Sequence, residues 1–162
     1  MVGSNISFNT SLIYRDTCSS KQEALWGDII YCSAWETIMW ILLGDFNAIR
    51  SLDEKNGGTT SWSGWQNDLN NCVIQACLED LRFTGSRCIW TNWQCNNTIL
   101  KKLDQVLINV KWNCDFTGLE TCFLTFGISG HSPILVKMAS LLETKIPFKF
   151  FDCWADHPLF SL

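Results

Sequence analysis

The amino-acid sequence predicts an α/β or α+β fold, because segments of strand length are interleaved with two segments of helical period. Apolar residues make up 47% of the 162, and nine tryptophans with ten phenylalanines can fill a large core. Charged residues make up 17%, a mix that excludes disorder. One domain is the default at this length.

Ile6 to Tyr14 mixes polar and apolar residues in a strand-like alternation. Ser19 and Ser20 then offer N-caps for a helix running through Glu23, Leu25, Trp26, Ile29 and Ile30. Thr37 to Leu43 is a short apolar run that reads as a strand buried on both faces, and it stops abruptly at Gly44-Asp45-Phe46-Asn47. Lys55-Asn56-Gly57-Gly58 reads as a loop or turn. Ser63 can cap a second helix, in which Trp65, Leu69, Cys72, Val73, Ala76 and Cys77 fall on one stripe. Cys88 to Trp93 reads as a strand and Cys95-Asn96-Asn97 as a turn. Leu103 to Ile108, Leu119 to Phe126 and Ile134 to Met138 complete the strands. The segment from Pro147 to Trp154 is aromatic without a period, as an arm or linker leaving the domain would be.

The net charge of −4 supplies no global basic field, so any contact with nucleic acid must be local. Ile38 to Leu43, the longest apolar stretch near the middle, is far shorter than a membrane helix needs, and the N-terminus lacks the pattern of a signal peptide. No membrane partner and an intracellular setting are expected. Nine cysteines without a Cys-x-x-Cys pair, and two histidines, argue against a zinc site built from paired ligand knuckles. Buried, reduced thiols acting as small hydrophobes are expected instead.

Three segments can carry chemistry. Alternation along a strand would put Asp45 and Asn47 on one face, at the carboxyl end of a strand, where α/β sheets bind ligands. An Asp there can orient or deprotonate a water and an Asn can hold an oxyanion; equally, both can serve a strand-to-loop turn. His131, in Ser129-Gly130-His131-Ser132-Pro133, is an acid/base or phosphate-binding candidate, or part of a surface turn. Asp104 is a lone acid among Leu103, Val106, Leu107 and Ile108, and a histidine would be a good partner for it.

In order and separation, Gly44-Asp45-Phe46-Asn47, Leu103-Asp104-Gln105-Val106-Leu107-Ile108-Asn109 and Ile128-Ser129-Gly130-His131-Ser132-Pro133-Ile134 resemble the endonuclease domain of plant LINE-type (non-LTR) retrotransposons. Trp90-Thr91-Asn92 fits that family's middle strand. The tail, with His157-Pro158, resembles its bridge toward a reverse transcriptase. The resemblance implies an exonuclease–endonuclease–phosphatase-type two-sheet sandwich flanked by helices. It implies a truncated domain over residues 1–140 and a linker over 141–162. It further implies Mg²⁺-dependent hydrolysis of DNA, acting in the nucleus. Asp45 would position or activate the attacking water, and Asn47 would bind a phosphate oxygen. His131 would stabilise the phosphorane, and Asp104 would orient His131. Tyr14 would lie on the phosphate side, with Thr91 and Ser129 near the substrate.

Two departures accompany the resemblance. Gly130 stands where the family has an aspartate that serves the metal and water site. The family's first half, with its early Asn and its Mg²⁺-holding Glu, has no counterpart before Tyr14. Metal binding is therefore expected to be weak, and exposed strand edges and apolar faces are expected from the lost half. Lys101-Lys102, the one adjacent basic pair, reads as a solvated turn or a phosphate contact. The leading expectation is an impaired or inactive endonuclease fragment. The alternatives are a working nuclease or phosphatase of that superfamily and a non-catalytic binding module on the same fold.

Overall fold

The computed structural model describes residues 6–15, 19–59, 67–115 and 118–138. The proposed cap Ser63, the stripe residue Trp65 and the aromatic tail over 141–162 lie outside these residues, as does the boundary placed at residue 140.

The central element is β2 (Met39–Asp45), the apolar run of the sequence. It is flanked by β1 (Phe8–Tyr14) in parallel and by β8 (Asp104–Asn109) antiparallel, with β4 (Leu78–Asp80) outside β8. Successive residues of β2 point to opposite sides, so an unbroken apolar run means two covers. On one side Trp40 and Leu42 meet Trp26 of α1 (Ser19–Ser33) and Leu69, Cys72 and Val73 of α2 (Asp68–Gln75). On the other, Met39 and Ile41 meet Leu119 and Phe123 of β9 (Leu119–Phe123). Trp112 of the short α3 (Val110–Asp115) closes this second core. Leu42 and Leu107 are wholly buried, each contributing about 1.5–3 kcal/mol.

The second sheet orders β10 (Ile134–Met138), β9 and β5 (Phe83–Gly85). A third, small sheet joins β3 (Lys55–Asn56), β7 (Leu100–Lys101) and β6 (Trp90–Thr91). The architecture is an α+β sandwich of two main sheets with helices on the outer face of the first. Phe8, Leu12 and Tyr14, on the face of β1 shared with Met39, Leu43 and Asp45, are exposed. Leu12 and Tyr14 are the most exposed of these at 80% and 87%, while Phe8 packs its ring against Trp112.

Several local expectations are corrected. Lys55 and Asn56 pair with β7 before the chain turns at Gly57 and Gly58. The strand expected from Cys88 to Trp93 shrinks to Trp90–Thr91, because Trp93 adopts a left-handed backbone with φ 54°. Cys77 leaves the stripe of α2: the helix ends at Gln75, and Cys77 is left-handed and exposed. The described cysteines are free, but only Cys72 among them is buried; Cys32, Cys77, Cys95 and Cys114 are exposed. Burial pushes the Cys72 thiol up to about 11, which makes it inert at neutral pH. Among the described residues, no helix is long and apolar enough to cross a membrane.

Candidate functional site

Two rows of cross-strand neighbours meet at one residue. In the first sheet Tyr14 pairs with Asp45, and Asp45 pairs with Asp104. Residues directly opposite in a sheet share a face, so these three side chains project together at one end of β1, β2 and β8. His131 arrives from the loop before β10, and its Nδ1 lies 2.8 Å from Oδ2 of Asp104. Ligand atoms of Asp45, Asp104 and His131 all fall within 4.8 Å of one another. The second row crosses the small sheet. Lys55 pairs with Lys101, Lys101 with Trp90, and Trp90 forms an isolated bridge with His131.

Asp104 is tied in at the start of β8, where the preceding Leu103 carbonyl accepts the Phe46 N–H at 3.0 Å. Its side chain is 11% exposed, against 35% for His131. Burial pushes its carboxyl above the ordinary carboxylate value, and the neighbouring Asp45 charge adds to this. The His131 hydrogen bond and charge act in the opposite direction without reversing the shift. The folded state therefore holds the Asp104 proton more tightly than the unfolded chain does. That contribution to stability is full below the unfolded value of ~3.9 and is lost as pH rises through the higher folded value. Asp104→Asn never ionises. The parent is expected to lose stability relative to this variant as pH rises above the unfolded carboxylate value. Urea unfolding at several pH values measures the difference; a gap that stays constant or widens in the parent's favour would contradict the shift.

Asp45 and Asn47 do not share a strand face, because β2 ends at Asp45 and Asn47 is left-handed with φ 48°. Instead the Asn47 N–H donates to Oδ1 of Asp45 at 2.8 Å. The turn chemistry thus uses Oδ1 of Asp45, and among the described residues Oδ2 has no hydrogen-bond donor. The Asn47 amide donates to the Arg15 carbonyl at 3.5 Å and stands beside the three-residue cluster.

Arg15, which the sequence reading passed over, clamps this turn. It is buried, stacks on Trp26 at 4.7 Å and donates through Nη1 to the carbonyls of Phe46 and Asn47 at 3.0 and 3.3 Å. Burial lowers its pKa, against the raising effect of Asp68 and Asp45. An arginine directly after a strand that precedes the acid-bearing one was the available signal.

The remaining candidates hold the loops. Tyr14 is 87% exposed, with its ring free for a ligand. Thr91 is buried; its N–H donates to the Gly130 carbonyl at 2.9 Å and its hydroxyl accepts the Trp93 N–H at 3.2 Å. Ser129 is exposed, and its Oγ accepts the His131 N–H at 3.1 Å, which sets the turn that presents the imidazole. A Cβ at Gly130 would lie 2.9 Å from the Thr91 carbonyl oxygen. The glycine thus permits a close approach of two backbones, which the sequence reading saw only as a lost charge.

Lys102 also departs from expectation. It is neither solvated nor open to a phosphate: its side chain is 4% exposed, and its Nζ lies 2.6 Å from Asp80 and 3.5 Å from Glu54. Glu54, likewise buried, accepts the Arg50 N–H at 2.6 Å, and Arg50 also pairs with Asp80. This network fixes the chain between β7 and β8, immediately before Asp104.

The two carboxylates of this cluster are oxygen ligands of the kind that Mg²⁺, a hard ion that keeps several waters, takes. Asp45 offers the more accessible carboxylate; one oxygen of Asp104 is committed to His131.

Neither a protein-family model nor a curated protein sequence matches the chain. Among solved structures, the crystal structure of beta toxin from Staphylococcus aureus is similar, with a TM-score of 0.52 at 15% identity. The match covers 86% of this chain and 54% of that one, so the chain spans about half the length of the structure it resembles. At that identity the likeness is one of fold: the chain shares the two-sheet α+β sandwich of the endonuclease/phosphatase type.

Proposed function

We propose that the chain is an endonuclease-type phosphodiesterase domain of the kind carried by LINE-type retrotransposons, impaired in catalysis. The observation that carries the reading is the assembly of Asp45, Asp104 and His131 from strand ends and one loop, with the His131–Asp104 hydrogen bond already formed. With Asp104 ionised, Nδ1 of His131 donates to it, and a ring protonated on both nitrogens would let Nε2 donate to a phosphate oxygen. Asp45 is placed to orient an attacking water, and Tyr14 lines the same face. Bound Mg²⁺ would supply charge neutralisation at the phosphate, held by Asp45 and, through water, Asp104. The impairment follows from Gly130: this cluster holds two carboxylates, one of them committed to His131.

The test uses supercoiled plasmid with Mg²⁺, alongside NMR of the imidazole protons. Only two histidines contribute, so His131→Gln assigns the signals. A dinucleoside phosphate is expected to shift the His131 resonances, while nicking stays no faster than in Asp45→Ala. Nicking well above that control would establish a working phosphodiesterase, the reading that the preformed His131–Asp104 pair favours. An unmoved His131 signal with no nicking would remove the phosphodiester site altogether.

A further inference from the structure

The second row of residues has a chemistry of its own. Lys55, Lys101 and Trp90 are successive partners across the three strands of the small sheet, and an isolated bridge joins Trp90 to His131, so the four residues form one row. At ~4.8 Å per strand the row runs ~14 Å from Lys55 to His131. One end holds two ammonium groups and the other ends in the Asp45–Asp104–His131 cluster. Lys101 Nζ lies 5.3 Å over the Trp90 ring, so its charge is held in place above the sheet. Lys55 uses one of its three donors on the Thr59 carbonyl, with no other acceptor among the described residues.

Like charges directly opposite in a sheet repel unless an anion lies between them. Burial, and then the Lys55 charge, hold the Lys101 ammonium below the ordinary lysine value. A phosphate between the two amines relieves the second of these effects.

Trp93 stands beside the row and is 59% exposed. Its backbone is left-handed, a conformation that a bulky residue adopts only when its surroundings impose it. The Thr91 hydroxyl accepts its N–H, and Phe126 supports the ring edge-on at a centroid distance of 6.0 Å. The indole nitrogens of Trp93 and Trp90 lie 3.7 and 3.8 Å from the point a Cβ of residue 130 would occupy. The exposed indole is therefore held next to the His131 turn. An indole face offered this way takes the π-face of any base, but only if that base is unpaired.

We propose that Lys55, Lys101 and Trp93 form a track for a single-stranded stretch of nucleic acid that leads to His131, the two lysines holding backbone phosphates and Trp93 stacking a base. The proposal rests on the phosphodiesterase reading of the cluster and adds a strand preference and the residues that set it. It also gives the acidic chain the local cationic patch that its net charge of −4 requires.

Fluorescence anisotropy in EDTA, where no hydrolysis occurs, tests it. The probes are a labelled oligothymidylate and the same oligonucleotide in duplex with oligoadenylate. The single strand is expected to bind about tenfold more tightly than the duplex, and Trp93→Ala to lose about tenfold of that affinity. Lys101→Gln is expected to reduce the salt slope of single-strand binding by ~0.7, and Lys111→Gln, the same charge change on α3, to leave it unchanged. Equal or tighter duplex binding, or equal slopes for the two lysine variants, would overturn the track. Lys101→Gln carries the comparison should Trp93→Ala fail to fold, as judged by near-ultraviolet circular dichroism. Loss of the strand preference with the His131 shift intact condemns the track alone; strand binding without any His131 shift condemns the cluster.

Discussion

Gly44→Ala is expected to destabilise the protein by more than about 4 kcal/mol, a loss reached by few mechanisms. Gly44 has φ 135°, a backbone conformation that side chains rarely allow, and the added Cβ would lie 2.1 Å from the Ile13 carbonyl oxygen. The neighbour is backbone of the paired strand β1, so relief requires moving that strand as a whole. Displacing it pulls Tyr14 away from Asp45 and loosens the Arg15 clamp on the next turn. Gly27→Ala is the control: Gly27 lies in α1, exposed, with nothing within 4 Å of the added carbon. That change should stabilise by about 0.5–1 kcal/mol, the helix preference of alanine over glycine. Urea unfolding of both variants measures the contrast, and similar midpoints would mean that β1 does not lie against Gly44 in solution.

Lys102→Met is expected to cost about 3 kcal/mol. Methionine keeps the stem but removes the ammonium 3.5 Å from Glu54, whose side chain is 5% exposed. Breaking a buried pair leaves an uncompensated charge, with losses of about 3–5 kcal/mol. The low end applies because Asp80 is 35% exposed and keeps Arg50 as a partner. Adding Glu54→Gln should recover a large part of the loss, since the stranded charge is then gone; thermodynamic double-mutant coupling reads this directly. A single-variant loss below about 1 kcal/mol would match an exposed pair instead. Nicking or strand binding, measured at a temperature where Lys102→Met stays folded, then shows how far this network steadies Asp104.

Legibility in the sequence followed the size of the hydrophobic signal. β2 over Met39–Leu43 and β8 over Val106–Ile108 are apolar because both faces are covered, and α1 and α2 declare themselves by their buried stripes. Asp45, Asp104 and His131 stood out because polar groups at the ends of such strands need partners: Asp104 finds His131, and Asp45 the Asn47 N–H beside them. The small sheet was hidden: β3, β6 and β7 have two residues each, too few for any period. With it were hidden the alignment of Lys55, Lys101 and Trp90 and the burial of Lys102, since two adjacent lysines read the same whether one is solvated or enclosed. Asn47 was placed by extending strand alternation two residues beyond the real end of β2. The cysteines were read by their average habit, whereas their exposure here depends on loops and helix ends.

The two rows converge on His131, and this has a consequence for how the protein is made. Tyr14, Asp45, Lys55, Trp90, Lys101 and Asp104 are all synthesised before it. Pairings between distant parts of a chain close slowly, and during synthesis they wait for the later partner to emerge. On the ribosome, β2 and β8 can pair once Asn109 is free, which seats Asp45 opposite Asp104 with no histidine between them and solvent. The imidazole and the bridge to Trp90 come last, so the cluster is completed only after the scaffold that aims it is already in place.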